Sequence, residues 1–294
     1  MAPPMTDLVG ETRRDPILAP LEEIRGADPA PEQNLIEQAA RSGSVQSVDR
    51  ALKLLELLSE YDHGCRLSHL GRQAGLSPST THRLLTTLEK RRHVQFDAIS
   101  GRWHVGIAML GIGSAFLRRS SFVPLAHPYL QRLRDQTKET VNLGMADDGE
   151  ITLVSQIPSR QIVRTIGRIG ARVPMTSSAM GKAILATYPA EDIDDILGFR
   201  RMMKRTPRSI TRPDALLREL ESVRHNGYAV DNAEHRRNVR CIAGVVYNDR
   251  AEVVCAISVS GQIERMPPER IETLAPRVIE TAQKITAALG GVAA

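Results

Sequence analysis

The sequence predicts an α+β chain with two folded units: a small helical unit closed by a β-hairpin, then a larger one in which hairpin-joined strands are interrupted by helices. Three observations carry this expectation. Between residues 45 and 90, stretches of helical apolar spacing are separated by Gly64 and Gly75. Alternating residues flank a turn at Ser100-Gly101 just after them. Beyond residue 140, two more hairpin signals, Asp147-Asp148-Gly149-Glu150 and Asn248-Asp249-Arg250-Ala251, sit among helical segments. At 294 residues the chain is long enough for two such domains.

Six of the seventeen prolines fall in the first 40 residues, mixed with acids and without sustained period, so residues 1–43 read as a flexible acidic tail. From Val45 the residues Val48, Leu52, Leu55 and Leu58, with Leu54 and Leu57 beside them, mark an amphipathic helix ending near Tyr61. A short helix carrying Leu67, Leu70 and Ala74 stops at Gly75, and a second starts at Pro78. Ser77 suits its N-cap, and Pro78 falls at the first helical position, where a missing N–H does no harm. Two helices across a short glycine-containing turn form a helix-turn-helix. Val94-Gln95-Phe96 and Arg102-Trp103-His104-Val105 make the hairpin, a wing, so residues 44–105 read as a winged helix-turn-helix.

An apolar helix rich in small residues is expected at 107–117, inside a linking segment 106–122, where it suits both connection and dimerisation. The larger domain, 123–290, has expected strands at 141–146, 151–156, 241–247 and 252–259. Its helices are expected near 123–137, 179–187, 191–198, 212–226 and 269–288. No internal repeat is evident.

Apolar residues at 41% and charged residues at 25% are ordinary for a globular protein, while 3% aromatics leave the core to aliphatic side chains. No apolar run approaches the roughly eighteen residues of a membrane span, and the N-terminus lacks a secretory pattern, so a cytoplasmic, non-membrane protein is expected. Cys65, Cys241 and Cys255 are widely spaced, with no C-x-x-C pair, which fits a reducing compartment. The net charge of +5 divides into −5 over residues 1–40, +4 over 41–105 and +6 beyond, and five of the eight histidines lie in the middle segment. A mildly basic unit suits a polyanion without proving one.

On the helix from Pro78, Thr81, Leu84, Leu85 and Leu88 share one stripe, while Ser79, Arg83, Thr86 and Lys90 fall opposite. The start of the second helix of a helix-turn-helix enters the major groove of DNA, so Ser79, Arg83 and Thr86 are the candidate base readers. Ser77, Thr80, His82, Thr87 and Lys90 suit the phosphate rims, and Arg102 is placed where a wing meets backbone or minor groove. The plainer alternative is a solvated polar face. No acid precedes Glu89 on this helix, which favours the DNA reading. His82, His93 and His104 read as half-exposed polar residues rather than metal ligands.

The segments Ser44-Val45-Gln46-Ser47-Val48-Asp49-Arg50-Ala51-Leu52, Leu76-Ser77-Pro78-Ser79-Thr80-Thr81-His82-Arg83-Leu84-Leu85 and Gly101-Arg102-Trp103-His104-Val105-Gly106 resemble the IclR family of bacterial transcription factors. So do Pro174-Met175-Thr176-Ser177-Ser178-Ala179-Met180-Gly181-Lys182-Ala183, Gly227-Tyr228-Ala229-Val230-Asp231, Glu234-His235, Arg240-Cys241-Ile242-Ala243 and Ala256-Ile257-Ser258-Val259-Ser260-Gly261. The resemblance runs over roughly residues 44–290 and feels nearest to the glyoxylate- and pyruvate-responsive branch. It implies a GAF-like effector domain after the linker helix and a homodimer or dimer of dimers on a palindromic operator in double-stranded DNA. It also implies control by a small organic acid or an aromatic acid; no cofactor and no metal are expected.

Carried over from the family, the effector residues are Ser178, Ala179, Met180, Asp231, Cys241, Ser258 and Ser260. Their own chemistry leaves alternatives open. Ser177 or Ser178 also suits an ordinary helix cap, the two strand serines share one face by period two whether they meet an anion or solvent, and Cys241 equally suits a small buried hydrophobe. Met180 stands where the family usually has a small residue and is expected to narrow or reshape the pocket. Residues 236–239 and Gln262 also depart from the family pattern.

An enzyme is not expected. No G-x-S-x-G, H-E-x-x-H or Walker loop occurs, Gly181-Lys182 lacks the flanking residues of a phosphate loop, and Gly111-Ile112-Gly113 lacks the third glycine of a dinucleotide site. Ser258 with His235 is the one conceivable hydrolytic pair. The remaining competitor is an architectural DNA-binding protein whose second domain only dimerises.

Overall fold

The protein is described here by a computed structural model covering residues 45–159, 167–199 and 202–291. The expected acidic tail lies outside the described residues. The chain divides into two compact units between Ile112 and Gly113.

The first unit contains α1 (Gln46–Ser59), α2 (Leu67–Ala74), α3 (Pro78–Lys90), β1 (Val94–Asp97) and β2 (Arg102–Val105). α2 ends because Gly75 adopts φ 70°, a left-handed conformation that glycine takes without penalty. The Ser77 hydroxyl then accepts from the backbone N–H of Thr80 and starts α3. Leu54, Leu58, Leu70, Ala74, Leu85, Val94 and Trp103 form the core. Cys65 exchanges backbone hydrogen bonds of 2.9 Å in both directions with Trp103, tying the wing to the loop after α1.

One sequence expectation is corrected here. Val48 and Leu52 are 54% and 53% exposed; of the expected stripe Leu58 is buried, and its buried companion is the adjacent Leu54. A helix with apolar residues on two adjacent stripes does not tell which one its neighbours cover, and α2 and α3 cover the second. The linking helix α4 (Ala108–Arg119) starts one residue later and ends two later than expected. The division between the units falls within it, and it buries none of its residues.

The second unit contains α5 (Phe122–Thr137), β3 (Thr140–Asp147), β4 (Glu150–Ile157), β5 (Arg172–Pro174), α6 (Ala179–Leu185), α7 (Ala190–Phe199) and α8 (Pro213–Asn226). After these come β6 (Ala229–Asn232), β7 (Val239–Tyr247), β8 (Val253–Gln262), a single 3-10 turn and α9 (Pro268–Ala288). The six strands form one antiparallel sheet in the order β5-β4-β3-β8-β7-β6. The expected tight turn joins β3 to β4, with Asp148 and Gly149 at φ 48° and 70°.

Each face of the sheet carries its own core. Val141, Leu143, Ile257 and Val259 pack with α5 and α9 on one face. Ala243 and Ala256 pack with α6 and α8 on the other. Burial on both faces removes the polar-outward alternation that marks a half-exposed strand. The short strands β5 and β6 and the 3-10 turn Ile263–Arg265 were not expected. Gln262, where the strand end was expected to differ, still pairs with Val239.

Candidate DNA interface and effector pocket

Along α3, Ser77, Ser79, His82, Arg83, Thr87 and Lys90 are exposed, and Thr80 and Thr86 are half-buried. Thr81 and Leu85 are fully buried, so the packed and outward faces divide as the spacing requires. The Ser77 hydroxyl lies 3.1 Å from that of Ser79 and 2.9 Å from that of Thr80, which gathers three hydroxyls at the start of the helix. The Thr87 hydroxyl donates to the Arg83 carbonyl at 2.8 Å, so its proton is turned inward and not toward a phosphate. Glu89 accepts from the Phe96 N–H at 3.0 Å, which ties the single acid of α3 to the wing. Arg102 is half-buried and donates to the carbonyls of His63 and Gly64, at 3.3 and 3.4 Å. It therefore braces the wing against the loop after α1, a different posture from the projecting side chain expected of a wing contact.

In the second unit, six of the seven expected effector residues, Ser178, Ala179, Met180, Asp231, Cys241 and Ser258, line one cavity of about 10 Å³, roughly the room of one water. His235 and Arg236 also line it. Ser260, the seventh, is fully buried and pairs across the sheet with Cys241, which in turn pairs with Asp231. The strand serines therefore do not face solvent: Ser258 and Ser260 are 1% and 0% exposed. Ser178 is the cap of α6, accepting from Gly181 at 3.1 Å and donating to the Pro174 carbonyl at 2.8 Å. Gly181 is required there, because any Cβ would run into the Met175 backbone. The Met180 sulfur would lie 3.1 Å from a Cβ placed on Gly144, so the thioether rests against the β3 backbone.

Electrostatics follow from this burial. Burial, reinforced by the neighbouring Glu234 carboxylate, raises the Asp231 pKa to about 7, against the opposing backbone N–H groups of Glu234 and His235 at 2.7 and 3.3 Å. Burial, then the Arg205 and Arg236 charges, depress the His235 pKa to about 4, so its ring is neutral near pH 7. Burial and Asp231 push the Cys241 thiol well above its usual range, which makes it a weak donor rather than a nucleophile. Ser258 is bonded to Asn142, at 3.3 Å, rather than to His235, and the conceivable hydrolytic pair has no geometry to support it.

Beside the cavity, Lys182 is fully buried and donates to Glu234 at 2.7 Å and Glu219 at 2.8 Å. Burial works against its ammonium, yet the Glu234 and Glu219 carboxylates outweigh it and hold the Lys182 pKa above the ordinary lysine value. The second Glu234 oxygen, His235 Nδ1 and the Ser177 hydroxyl are buried without a hydrogen-bond partner. Asn142, Gln156, Lys182 and Glu234 were thus missed as parts of the site, and His235 was considered only as a hydrolytic partner of Ser258. Lys182, a long cation among small residues, and the Glu234-His235 segment that carries the resemblance were the signals in the sequence.

A winged helix-turn-helix with an outward hydroxyl-and-arginine face, carried on one chain with a domain enclosing a small cavity to which a few polar side chains converge, defines a ligand-responsive, DNA-binding transcriptional regulator. This chain belongs to the IclR family of bacterial regulators. Residues 47–98 match the IclR helix-turn-helix domain, and residues 114–287 match the bacterial transcriptional regulator IclR C-terminal domain. The transcriptional repressor IclR of Escherichia coli strain K12 is 34% identical over 278 residues, covering 94% of this chain and 100% of that protein. The acetate operon repressor of Salmonella typhimurium is 35% identical, covering 94% and 99%. Among solved structures, an IclR transcriptional regulator from Alicyclobacillus acidocaldarius superposes with a TM-score of 0.73 at 26% identity, covering 84% of this chain and all of that one. These relatives are regulators and not enzymes. Among the described residues no cluster of acids, histidines or cysteines is arranged for a metal, and no helix is long and apolar enough to cross a membrane.

Proposed function

We propose that the protein represses a catabolic operon by holding a palindromic operator in double-stranded DNA and releasing it when a small organic acid enters and widens the cavity beside α6, which as it stands has room for one water. Two relatives carry the names transcriptional repressor and acetate operon repressor, which supports the sign of control and the kind of target. The observation that carries the sensing half is the convergence of Asp231, Cys241 and Ser258 on one buried cavity beside Ser260. Hydroxyl and thiol donors, a neutral His235 ring and a carboxyl that titrates near neutrality suit a carboxylate bearing a carbonyl, hydroxyl or hydrate group.

In this reading Ser79, Arg83 and Thr86 meet base edges, and Ser77, Thr80, His82 and Lys90 meet phosphates. Thr87 and Arg102 contribute only if their present hydrogen bonds are exchanged for DNA. Residues 44–105 form the reading domain, 106–122 the linker and 123–290 the sensing domain, with 1–43 as an appended tail. A homodimer, or a dimer of such dimers, gives the operator its symmetry. The exposed apolar residues Val48 and Leu52 on α1 and Leu110, Ile112 and Phe116 on α4 supply surface for that assembly.

A thermal-shift screen of the full chain with glyoxylate, pyruvate and acetate tests the sensing half. A concentration-dependent rise in Tm with at least one acid is expected. A Tm unmoved by any of them leaves the architectural alternative standing.

A further inference from the structure

The buried amide of Asn142, on β3, donates to both serine hydroxyls of β8, at 3.3 Å to Ser258 and 3.1 Å to Ser260. Its own oxygen accepts from the Gln156 amide at 2.8 Å, and that same Gln156 nitrogen donates to the Gly167 carbonyl at 3.1 Å. The direction of this chain of bonds is fixed at its far end. A backbone carbonyl has no hydrogen to give, so the Gln156 group facing Gly167 must be the NH2. The Asn142 atom facing Gln156 must then be the oxygen, and the Asn142 NH2 must face the serines. Both serine oxygens thus receive a hydrogen bond, and each hydroxyl proton is left to point elsewhere. Ser258 lines the cavity, and Ser260 lies opposite Cys241 on the neighbouring strand.

We infer that Asn142 and Gln156 are positioning residues that set the polarity of the effector pocket: through a one-way relay anchored on the Gly167 carbonyl, they leave the Ser258 proton to meet the bound molecule and the Ser260 proton to face Cys241. The site is thereby selective for a ligand atom that accepts, such as a carboxylate or enolate oxygen, over one that donates, such as an amide NH2. Neither residue touches the cavity itself; Gln156 acts through Asn142, and Asn142 through the serines. The inference rests on the acid-sensing reading above.

Two near-isosteric substitutions reverse the relay. Asn142→Asp places an acceptor against the serines and draws the Ser258 proton away from the cavity. Gln156→Glu, at a half-buried position remote from the ligand, offers only acceptors to Asn142 and forces its amide to turn over, leaving the Asn142 oxygen toward the serines. Asn142→Leu removes the contact without reversing it. Glyoxylate and pyruvate binding is measured by calorimetry on full-length wild type and the three variants, with a melting curve for each.

Wild type binds at least one acid, and Asn142→Asp and Gln156→Glu each lose roughly tenfold or more in affinity. Asn142→Leu loses less than Asn142→Asp, an order that simple packing would invert because Asp matches the shape of Asn and Leu does not. A folded Gln156→Glu variant with wild-type affinity overturns the relay, and that arm stands even if Asn142→Asp fails to fold. Loss in Asn142→Leu equal to or greater than in Asn142→Asp overturns it as well. Failure of wild type to bind either acid falls instead on the acid-sensing reading, and takes the relay down with it.

Discussion

Helix α3 and the pocket beside α6 both combine serine hydroxyls with basic residues, yet they place them in opposite surroundings. On α3 the polar groups stand in solvent and bond to partners within four residues, as Thr80 does with Ser77 and Thr87 with Arg83. In the pocket the polar groups are buried, and beside local partners such as those of Ser178 and Asp231 some come from strands more than a hundred residues apart, as with Asn142 and Ser260. An exposed polar face stays solvated until DNA replaces water, so its residues contribute to binding and little to folding. A buried polar site must satisfy itself to fold at all, so the same residues serve stability and recognition together.

The sharpest way to break this contrast is to compare Lys182 with Arg83. Lys182→Met leaves the Glu234 carboxylate buried and unpaired, and a loss of about 3–5 kcal/mol in unfolding free energy is expected from a urea titration. Replacing Glu219, whose side chain is 34% exposed, should lose much less than replacing Glu234 at 6%. Arg83→Ala should leave the melting temperature unchanged and weaken specific operator binding by roughly 1–3 kcal/mol. Equal weakening on operator and random DNA in a gel-shift titration would make Arg83 a phosphate contact instead of a base reader.

The two helix caps sharpen the contrast on a smaller scale. Ser77→Ala should lower stability by about 1 kcal/mol, whereas Ser178→Ala should lower it by more, toward about 2 kcal/mol, because its hydroxyl also answers the Pro174 carbonyl inside the protein. Equal losses in paired denaturation curves would mean that burial adds nothing to capping.

In the pH dependence two groups oppose each other, so that only their net effect on the wild-type protein is small. Folded Asp231 holds its proton up to about pH 7, whereas the unfolded chain releases it near 3.8, so this group's contribution to stability is lost as pH rises through about 7. Folded His235 stays neutral down to about pH 4, whereas the unfolded chain takes up a proton near 6.5, so its contribution is lost as pH falls through about 4. Asp231→Asn should therefore unmask stability that rises with pH between about 4 and 6.5, and His235→Gln stability that declines toward pH 7. Denaturation midpoints measured across that range would show the two slopes; identical slopes in both variants would contradict the assignment.

The same contrast explains what the sequence made legible. Ser77, Pro78, the Thr81 and Leu85 stripe and the outward Arg83 all followed from local spacing, because capping and helical period act within a few residues. Val48 and Leu52 misled because α1 is apolar on adjacent stripes, and only its neighbours decide which is covered. In the second unit the period of two placed Ser258 and Ser260 on one face but left open whether that face was wet. Helices cover both faces of the sheet, and nothing in a strand of ten residues announces this. The resemblance to a family supplied Asp231, Cys241 and the serines. It did not supply Asn142 and Gln156, whose importance comes from through-space pairing with residues far along the chain.

The central claim is that an acid in the buried pocket governs what α3 holds. Fluorescence anisotropy of the wild-type protein on a labelled operator, selected from random DNA and titrated with glyoxylate, pyruvate or acetate, addresses it directly. The account predicts that at least one acid lowers operator affinity at concentrations that saturate the pocket, and that Ser258→Ala shifts this release to higher acid concentration. An acid that binds the protein while operator affinity stays constant would contradict it.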